Sequence, residues 1–317
     1  MNKKIAVAAL CLAALLAALA LGCAPKQRFV TIGTGGTAGT YFPLGGALAE
    51  IWNKNIKGMN ANATSTGASA ANIAMLKDAK VDVIFVQNDA AFYALNDLET
   101  YKGKAMPGIR GLASLYDETC QLVALADSKI KTVADLKGKR VSVGAAGSGV
   151  ELNARQILEA AGLTYDDIKV QYLSFAESAS NLKDGNIDAA FNTAGAPTAA
   201  IQDLSASKKI VLVPVDGAVA DALMKKWAFY TPTKIPGGTY QGVDADVMTV
   251  SVKSMLAVSE KADPKLVYDM LKTMFANGDR LAASHKKGAD VKLETAVDGM
   301  SIPLHPGAEK FYKENKK

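Results

Sequence analysis

The sequence predicts an α/β fold made of two series of alternating strands and helices. Three observations carry that prediction. Short apolar runs alternate with amphipathic segments, the rhythm of parallel strands joined by crossover helices. Loops rich in Gly, Thr and Ser follow several of these runs and open the next helix. A Pro/Gly-rich stretch at 230–246 breaks the rhythm, which then resumes with one more strand and a helical end.

The first series opens with Phe29-Val-Thr-Ile32, which reads as a buried strand. The loop Gly33-Thr-Gly-Gly-Thr-Ala-Gly-Thr40 follows, then an amphipathic helix over about 44–52. Such a loop turns N–H groups and hydroxyls toward one point at a helix N-terminus. That point favours an anion, because orphan N–H groups and the helix dipole both face it. Further on, the spacing predicts a strand over 60–65, a helix over 68–77, a strand over 81–87 and a helix over 89–95. The second series begins with a strand-rich run over 112–125 and a short helix at 133–136. It continues with strands over 140–144, 168–172, 188–192 and 210–215. Helices over 147–161, 176–183, 197–205 and 221–227 lie between and after them. Residues 230–246 read as a connector returning between lobes, 247–252 as a strand, and 264–277 and 281–287 as helices.

Three more loops repeat the logic of the first, at 66–69, 144–151 and 192–198. In open α/β sheets, ligands bind beyond the carboxyl ends of the strands, at loops of this kind. Two of the four loops fall in each series. If each series forms a lobe, the helix N-termini converge across a cleft that closes by hinge motion. The candidate ligand contacts are therefore Thr34, Gly36, Thr37, Gly39 and Tyr41 from the first loop and Ser69 from the second. Gln87 and Asn88 join them at the end of a buried strand, where neutral amides can donate to a carboxylate or accept from an ammonium. Ser148 and Gly149 come from the third loop, and Asn192, Thr193 and Ala194 from the fourth. Thr37 and Ser148 are expected to supply hydroxyls from opposite sides. Asp89 reads as an N-cap, Glu151 and Arg155 as an i,i+4 pair, and Tyr93 and Tyr230 as core.

Composition narrows the function classes. Lys3 and Lys4 precede an apolar run over 5–21, short for a membrane span and suited to a secretion signal. The run ends in Ala20-Leu21-Gly22-Cys23, which resembles a bacterial lipobox with Ala where Leu is usual. Residues 1–22 are thus expected to be removed, Cys23 to carry lipid and 23–28 to serve as linker to the inner membrane. The formal charge of +5 falls to +3 without Lys3 and Lys4, too little to imply nucleic acid. Cys120 then has no partner and reads as a buried, inert thiol. His285 and His305 suggest no metal site, and no Ser/His/Asp set is readable, so neither cofactor nor catalysis is expected. Gly33 to Ala38 fits the dinucleotide fingerprint, but the next strand ends in Thr64-Ser65-Thr66, without the acid a ribose needs. The phosphate-loop pattern fails, because no Lys-Ser or Lys-Thr follows the glycines.

Together these residues resemble the TAXI-type solute-binding proteins of tripartite ATP-independent periplasmic (TRAP) transporters. The resemblance runs from about 29 to 312. It rests on Ile32-Gly-Thr-Gly-Gly-Thr-Ala-Gly-Thr-Tyr-Phe-Pro43, Val133-Ala-Asp-Leu-Lys-Gly-Lys-Arg-Val-Ser-Val-Gly144, Gly147-Ser-Gly-Val-Glu-Leu-Asn-Ala-Arg-Gln156, Asp188-Ala-Ala-Phe-Asn-Thr-Ala-Gly-Ala-Pro197 and Ile302-Pro-Leu-His-Pro-Gly307. Val150 departs from the pattern, which has Thr there. The resemblance implies a two-lobed periplasmic-binding-protein fold of type II, with the ligand in the interlobe cleft. It implies one lobe over 29–118 plus 246–317 and another over 119–245. It also implies an extracytoplasmic receptor that captures a small carboxylate such as glutamate or 2-oxoglutarate, without catalysis. The solute would pass to a TRAP permease with fused small and large subunits, driven by an ion gradient. A sensor subunit for a membrane kinase is the alternative. Arg110 and Arg155 are the loose candidates for a carboxylate-binding arginine.

Overall fold

The computed structural model describes residues 27–315; the expected signal and Cys23 lie outside the described residues. The first half begins with β1 (Arg28–Gly33), α1 (Tyr41–Asn55), β2 (Met59–Thr64), α2 (Ser69–Lys77), β3 (Val83–Gln87) and α3 (Asn88–Asn96). β1 pairs in parallel with both β2 and β3, as βαβ crossovers require. The five residues of β3 are all buried, which is why they read as an unbroken apolar run.

β4 (Ile109–Leu125) is a single strand of 17 residues. Beyond it lie β5 (Arg140–Ser142), α4 (Gly149–Ala160), β6 (Lys169–Gln171), α5 (Phe175–Lys183), β7 (Ala189–Ala194), α6 (Ala199–Ser207), β8 (Ile210–Val213) and α7 (Gly217–Lys226). The chain returns through β9 (Thr231–Ile235) and β10 (Val247–Ser259), and ends with α8 (Pro264–Ala276), α9 (Gly278–Ser284) and α10 (Pro306–Asn315).

The strands form one hydrogen-bonded path, β2-β1-β3-β10-β4-β7-β5-β6, with β8 on β4 and β9 on β10. Only its outer parts are parallel. β10 runs antiparallel to β3, β4 and β9, and β4 runs antiparallel to β7 and β8. The two long strands thus pair with each other over Ile109–Thr119 and Ser251–Ser259, then each continues into the second half. The expected parallel pairing with crossover helices holds in the outer parts, and β4 and β10, expected as strands, add an antiparallel centre. The segment 230–246 is no plain connector, since β9 pairs with Val247–Ser251.

Two satellite cores match the two series. One gathers Ile32, Leu44, Trp52, Phe85 and Leu256 with α8 and α10; the other gathers Leu182, Ala190, Ile201, Leu204 and Tyr240. A third and larger core joins Ile84 and Ala90 to Leu122, Ile157 and Phe191, and so spans both halves. α10 was not anticipated; its Phe311 and Tyr312 are buried against α8 and β4, with the Tyr312 hydroxyl donating to Leu112 O at 2.8 Å. α9 has only seven residues and passes into a short 3-10 turn. No helix of the described residues is long and apolar enough to cross a membrane.

Candidate functional site

The loop after β1 is held in place from below. The Asn72 side chain, fully buried on α2, donates to the carbonyls of Thr34 and Phe85 at 2.6 and 2.8 Å and accepts from the Thr66 hydroxyl at 2.6 Å. One amide therefore ties together the first loop, the second loop and β3. Above it, α1 and α2 start without side-chain caps and without an acid in the first turn. Apart from Ala70 N, which the facing wall takes, and Pro43, which has no N–H, their leading N–H groups and dipoles are left for an outside acceptor. Ala68, the residue before α2, has φ 66° and ψ −145°, a conformation that a non-glycine residue rarely adopts. Its own N–H is held by the Thr66 hydroxyl at 3.1 Å.

The facing wall comes from the second half. Ser148 caps α4 by accepting from Glu151 N at 3.1 Å, which leaves its own O–H free to donate. Ser174 caps α5 in a reciprocal box with Glu177 and brings Phe175 to the cleft. The walls touch. Ala70 N donates to Gly147 O at 3.1 Å, the Thr40 hydroxyl to Gly195 O at 3.3 Å, and Ala200 N to Ala38 O at 3.4 Å. Gly149 lies so close to Gln87 and Ser69 that no side chain fits there. Between the walls is a cavity of about 80 Å³, mostly apolar in lining atoms. Roughly five to eight water-sized groups would fill it.

The floor carries charge. Glu118 on β4 is 2 % exposed and lines the cavity. It accepts from Gln87 Nε2 at 3.0 Å and from the Tyr116 hydroxyl at 3.4 Å. Burial pushes its carboxyl up to about 8, against the pull of those hydrogen bonds. Gln87 Oε1 and the Tyr41 hydroxyl are both buried without a hydrogen-bond partner. None of the residues lining the cavity is Lys, Arg or His.

Most of the predicted contacts converge here. Gly36, Gly39, Tyr41, Ser69, Gln87, Ser148, Gly149, Thr193 and Ala194 all line the cavity. Four others do not. Thr34 is fully buried; its hydroxyl donates to Thr64 O at 2.6 Å and its methyl packs where a side chain on Gly45 would stand. Thr37 is exposed at the outside of the loop, and Thr40 takes the inward position one helical turn later. Asn88 turns away: its amide donates to Gly299 O at 3.1 Å and accepts from Lys253 N at 3.1 Å, fixing β3 to the C-terminal segment. Asn192 alternates to the opposite face of β7 from Thr193, against Val123 and Leu204.

The fourth loop also departs from expectation. α6 begins only at Ala199, and Thr198 N is taken by the Tyr240 hydroxyl at 2.8 Å, so this helix terminus is already satisfied. The N-terminus of α5 takes its place. Glu118, Thr40 and Phe175 were not anticipated. Glu118 carries no distinguishing signal in the sequence, since it follows Asp117 in a strand that also holds Arg110, Thr119 and Gln121. Asp89 caps nothing in the ordinary way. It sits one residue inside α3, accepting from Ala90 N at 2.7 Å and from Asn153 Nδ2 at 3.0 Å. Val150 lines the cavity where a Thr would add a hydroxyl.

Neither candidate arginine reaches the cleft. Arg155 pairs with Glu151 and lies 4.7 Å over the Tyr165 ring. Arg110 bridges Glu260 at 2.6 Å. Cys120 is buried, with its thiol pushed up to about 12 by desolvation, as an inert thiol should be. Among the described residues there is no cluster of His, Cys, Asp and Glu that could hold a metal. A larger cavity of about 560 Å³ lies behind Ser148, between α2, α4 and residues 100–104. It is bordered by Lys77, Asp78 and Lys104 and receives none of the uncapped helix ends.

Solved structures share this architecture. The chain is similar to the alkanesulfonate-binding protein SsuA from Xanthomonas axonopodis pv. citri bound to MOPS, at 16% identity and TM-score 0.53, covering 92% of this chain and 85% of that one. It is similar to a protein from Bordetella bronchiseptica RB50, at 17% identity and TM-score 0.54, covering 90% and 89%. It is also similar to a putative L-cystine ABC transporter protein from Listeria monocytogenes, at 19% identity and TM-score 0.51, covering 84% and 98%. These likenesses establish the fold as that of the two-lobed periplasmic binding proteins. The family model that matches spans residues 32–315, nearly all of the described chain, and on that match this chain belongs to the NMT1-like family.

Proposed function

We propose that this protein is an extracytoplasmic, lipid-anchored receptor that captures a small carboxylate between two lobes and hands it to a membrane permease. One observation carries the reading. Four helix N-termini, of α1, α2, α4 and α5, open onto one small cavity whose two walls come from different halves of the chain. The solute carboxylate meets N–H groups and hydroxyls there in a space closed to water, where each charge-assisted bond gains strength. The lobes are 29–118 plus 246–317 and 119–245, and they rotate about β4 and β10, two long strands that run from one half into the other. Amino acids and oxo acids of the size of glutamate or 2-oxoglutarate are the ligand class.

The partner is an ion-gradient-driven TRAP permease, on the strength of the loop motifs that resemble the TAXI type. A second reading is an ATP-driven importer, favoured by the likeness to the Listeria L-cystine ABC transporter protein. Purification without refolding, native mass spectrometry and a thermal-shift panel test the receptor reading. A ligand at ~100 times its dissociation constant adds about 2.7 kcal/mol of stability. Stabilisation by sugars or polyamines alone would overturn it. Uptake into vesicles holding the permease separates the two partners: a sodium gradient without ATP drives the first, ATP the second.

A further inference from the structure

We propose that Glu118 selects solutes that carry an ammonium group, and that arrival of this group expels a proton from the Glu118 carboxyl to solvent. The inference rests on the receptor reading and names what that reading leaves open. Glu118 stands at the floor of the cleft, almost wholly buried, and no cationic side chain lines the same cavity. A buried acid without a counter-charge is costly when ionised. The neighbouring Lys253 ammonium is engaged elsewhere, 2.6 Å from Asp117.

The surroundings of Glu118 lack a positive charge on every side. From β4 it meets the Tyr116 hydroxyl and, further along, the Cys120 thiol; from α1, Tyr41; from α3, the second buried acid Asp89; the Ser254 hydroxyl of β10 stands beside Tyr41 and Tyr116. Beside it, Gln87 spends its N–H on Glu118 and keeps Oε1 unpartnered, 2 % exposed, against the first residue of α4. A carboxylate and an orphan carbonyl oxygen side by side accept the N–H bonds of an ammonium and offer nothing to a keto oxygen, which can only accept. The helix ends and the Ser148 hydroxyl that line the same cavity supply N–H and O–H donors for a carboxylate. An α-amino acid carries an ammonium and a carboxylate on one carbon and can use both sets of groups; its 2-oxo counterpart lacks the ammonium.

Proton balance follows from the same geometry. In the empty cleft the carboxyl is neutral, raised by burial to about 8. When the ammonium docks, the O–H bond of Glu118 breaks, the proton leaves to buffer and the carboxylate pairs with the ammonium. Binding at pH 7 therefore releases about one proton, and affinity rises roughly tenfold from pH 6 to pH 7 and about fivefold more to pH 8 before levelling.

The test uses L-amino acids and their 2-oxo counterparts as isosteric pairs, L-glutamate with 2-oxoglutarate among them, on the intact protein. The amino member of a pair should bind at least tenfold tighter. Calorimetry in two buffers of different ionisation enthalpy should show the proton release. Glu118→Gln should remove both the release and the pH slope and shrink the amino/oxo gap to within about threefold; proton release by the unaltered protein needs no variant and stands whether or not Glu118→Gln folds. Equal or tighter binding of the oxo acid, proton uptake, or binding of non-amine carboxylates only would overturn the role of Glu118 and leave the receptor reading intact. If no small solute binds, the receptor reading falls with it.

Discussion

Gly149 and Gln87 meet across the cleft so closely that a methyl group on Gly149 would overlap the Gln87 carboxamide and stand 2.9 Å from the Ser69 hydroxyl. The two residues belong to different halves of the chain, and Gln87 cannot swing aside while its amide is bound to Glu118. The glycine is thus a contact surface between lobes, not a turn residue; it occupies the first position of α4, where alanine is favourable.

From this contact comes the first prediction. Gly149→Ala should leave the empty, open protein as stable as before, within about 0.5 kcal/mol, because the helix itself gains propensity. Closure should fail, and affinity should drop at least tenfold, about 1.4 kcal/mol. Small-angle scattering with saturating ligand checks compaction, and calorimetry checks affinity. Tight binding with normal compaction would show that the walls part further than the structure indicates.

Ser148 and Thr37 separate a cleft hydroxyl from an exposed one. Ser148→Ala removes a donor to the ligand and the cap on Glu151 N, so it should cost about 1 kcal/mol of unliganded stability and roughly 1–3 kcal/mol of affinity. Thr37→Ala, on the solvent side of its loop, should change neither by more than about 0.5 kcal/mol. Denaturation of the unliganded variants beside ligand titrations decides between a cap and a contact.

Much of this site was legible in the sequence because strand-then-glycine loops mark helix N-termini whatever the side chains do. Gly36, Gly39, Ser69, Ser148 and Gly149 were expected on that basis, and all five line the cavity. The errors share a cause. Whether Thr37 or Thr40 points inward depends on where α1 starts, and it starts at Tyr41, about three residues before the expected onset. Asn192 and Thr193 differ by one step on a strand, which is a difference of faces. Asn88 and Glu118 depended on long-range partners: β10 and the C-terminal segment claim the first, and the second belongs to a strand whose buried interior gives no local sign of a ligand. The fold was read less well at its centre than at its edges, since antiparallel pairing of β4 with β10 joins residues more than a hundred positions apart.

Anchoring is open to a direct check. Cys23 lies outside the described residues, and the expectation for it comes from the Ala20-Leu21-Gly22-Cys23 junction alone. Cys23→Ser should release a soluble protein that binds ligand with unchanged affinity, because β1 begins only at Arg28. Membrane fractionation with and without the substitution reads this out. Unchanged membrane partition would remove the lipid from the proposal.

The last prediction concerns a seam between α3 and α4, away from the ligand. Asp89 and Tyr93 lie four apart on α3, and Asn153 and Gln156 three apart on α4, so each pair shares a helix face. Asn153 donates to Asp89 at 3.0 Å and to the Tyr230 hydroxyl at 2.8 Å; that hydroxyl donates to Gln156 at 2.6 Å, and Gln156 to Tyr93 at 3.4 Å. The whole chain is buried and holds one acid and no cation. Burial raises Asp89 to about 7, while in the unfolded chain it titrates near 3.8. Between these values the folded protein holds a proton that the unfolded chain has lost. Stability from this group is therefore full below pH 4 and declines as the pH climbs to about 7, by roughly 4 kcal/mol in all. Asp89→Asn keeps the shape and removes the titration, so its stability should exceed that of the unaltered protein at pH 8 and match it near pH 4. Urea denaturation at pH 4, 6 and 8 gives the comparison. A stability difference that does not change with pH would mean that Asp89 stays ionised in the folded protein.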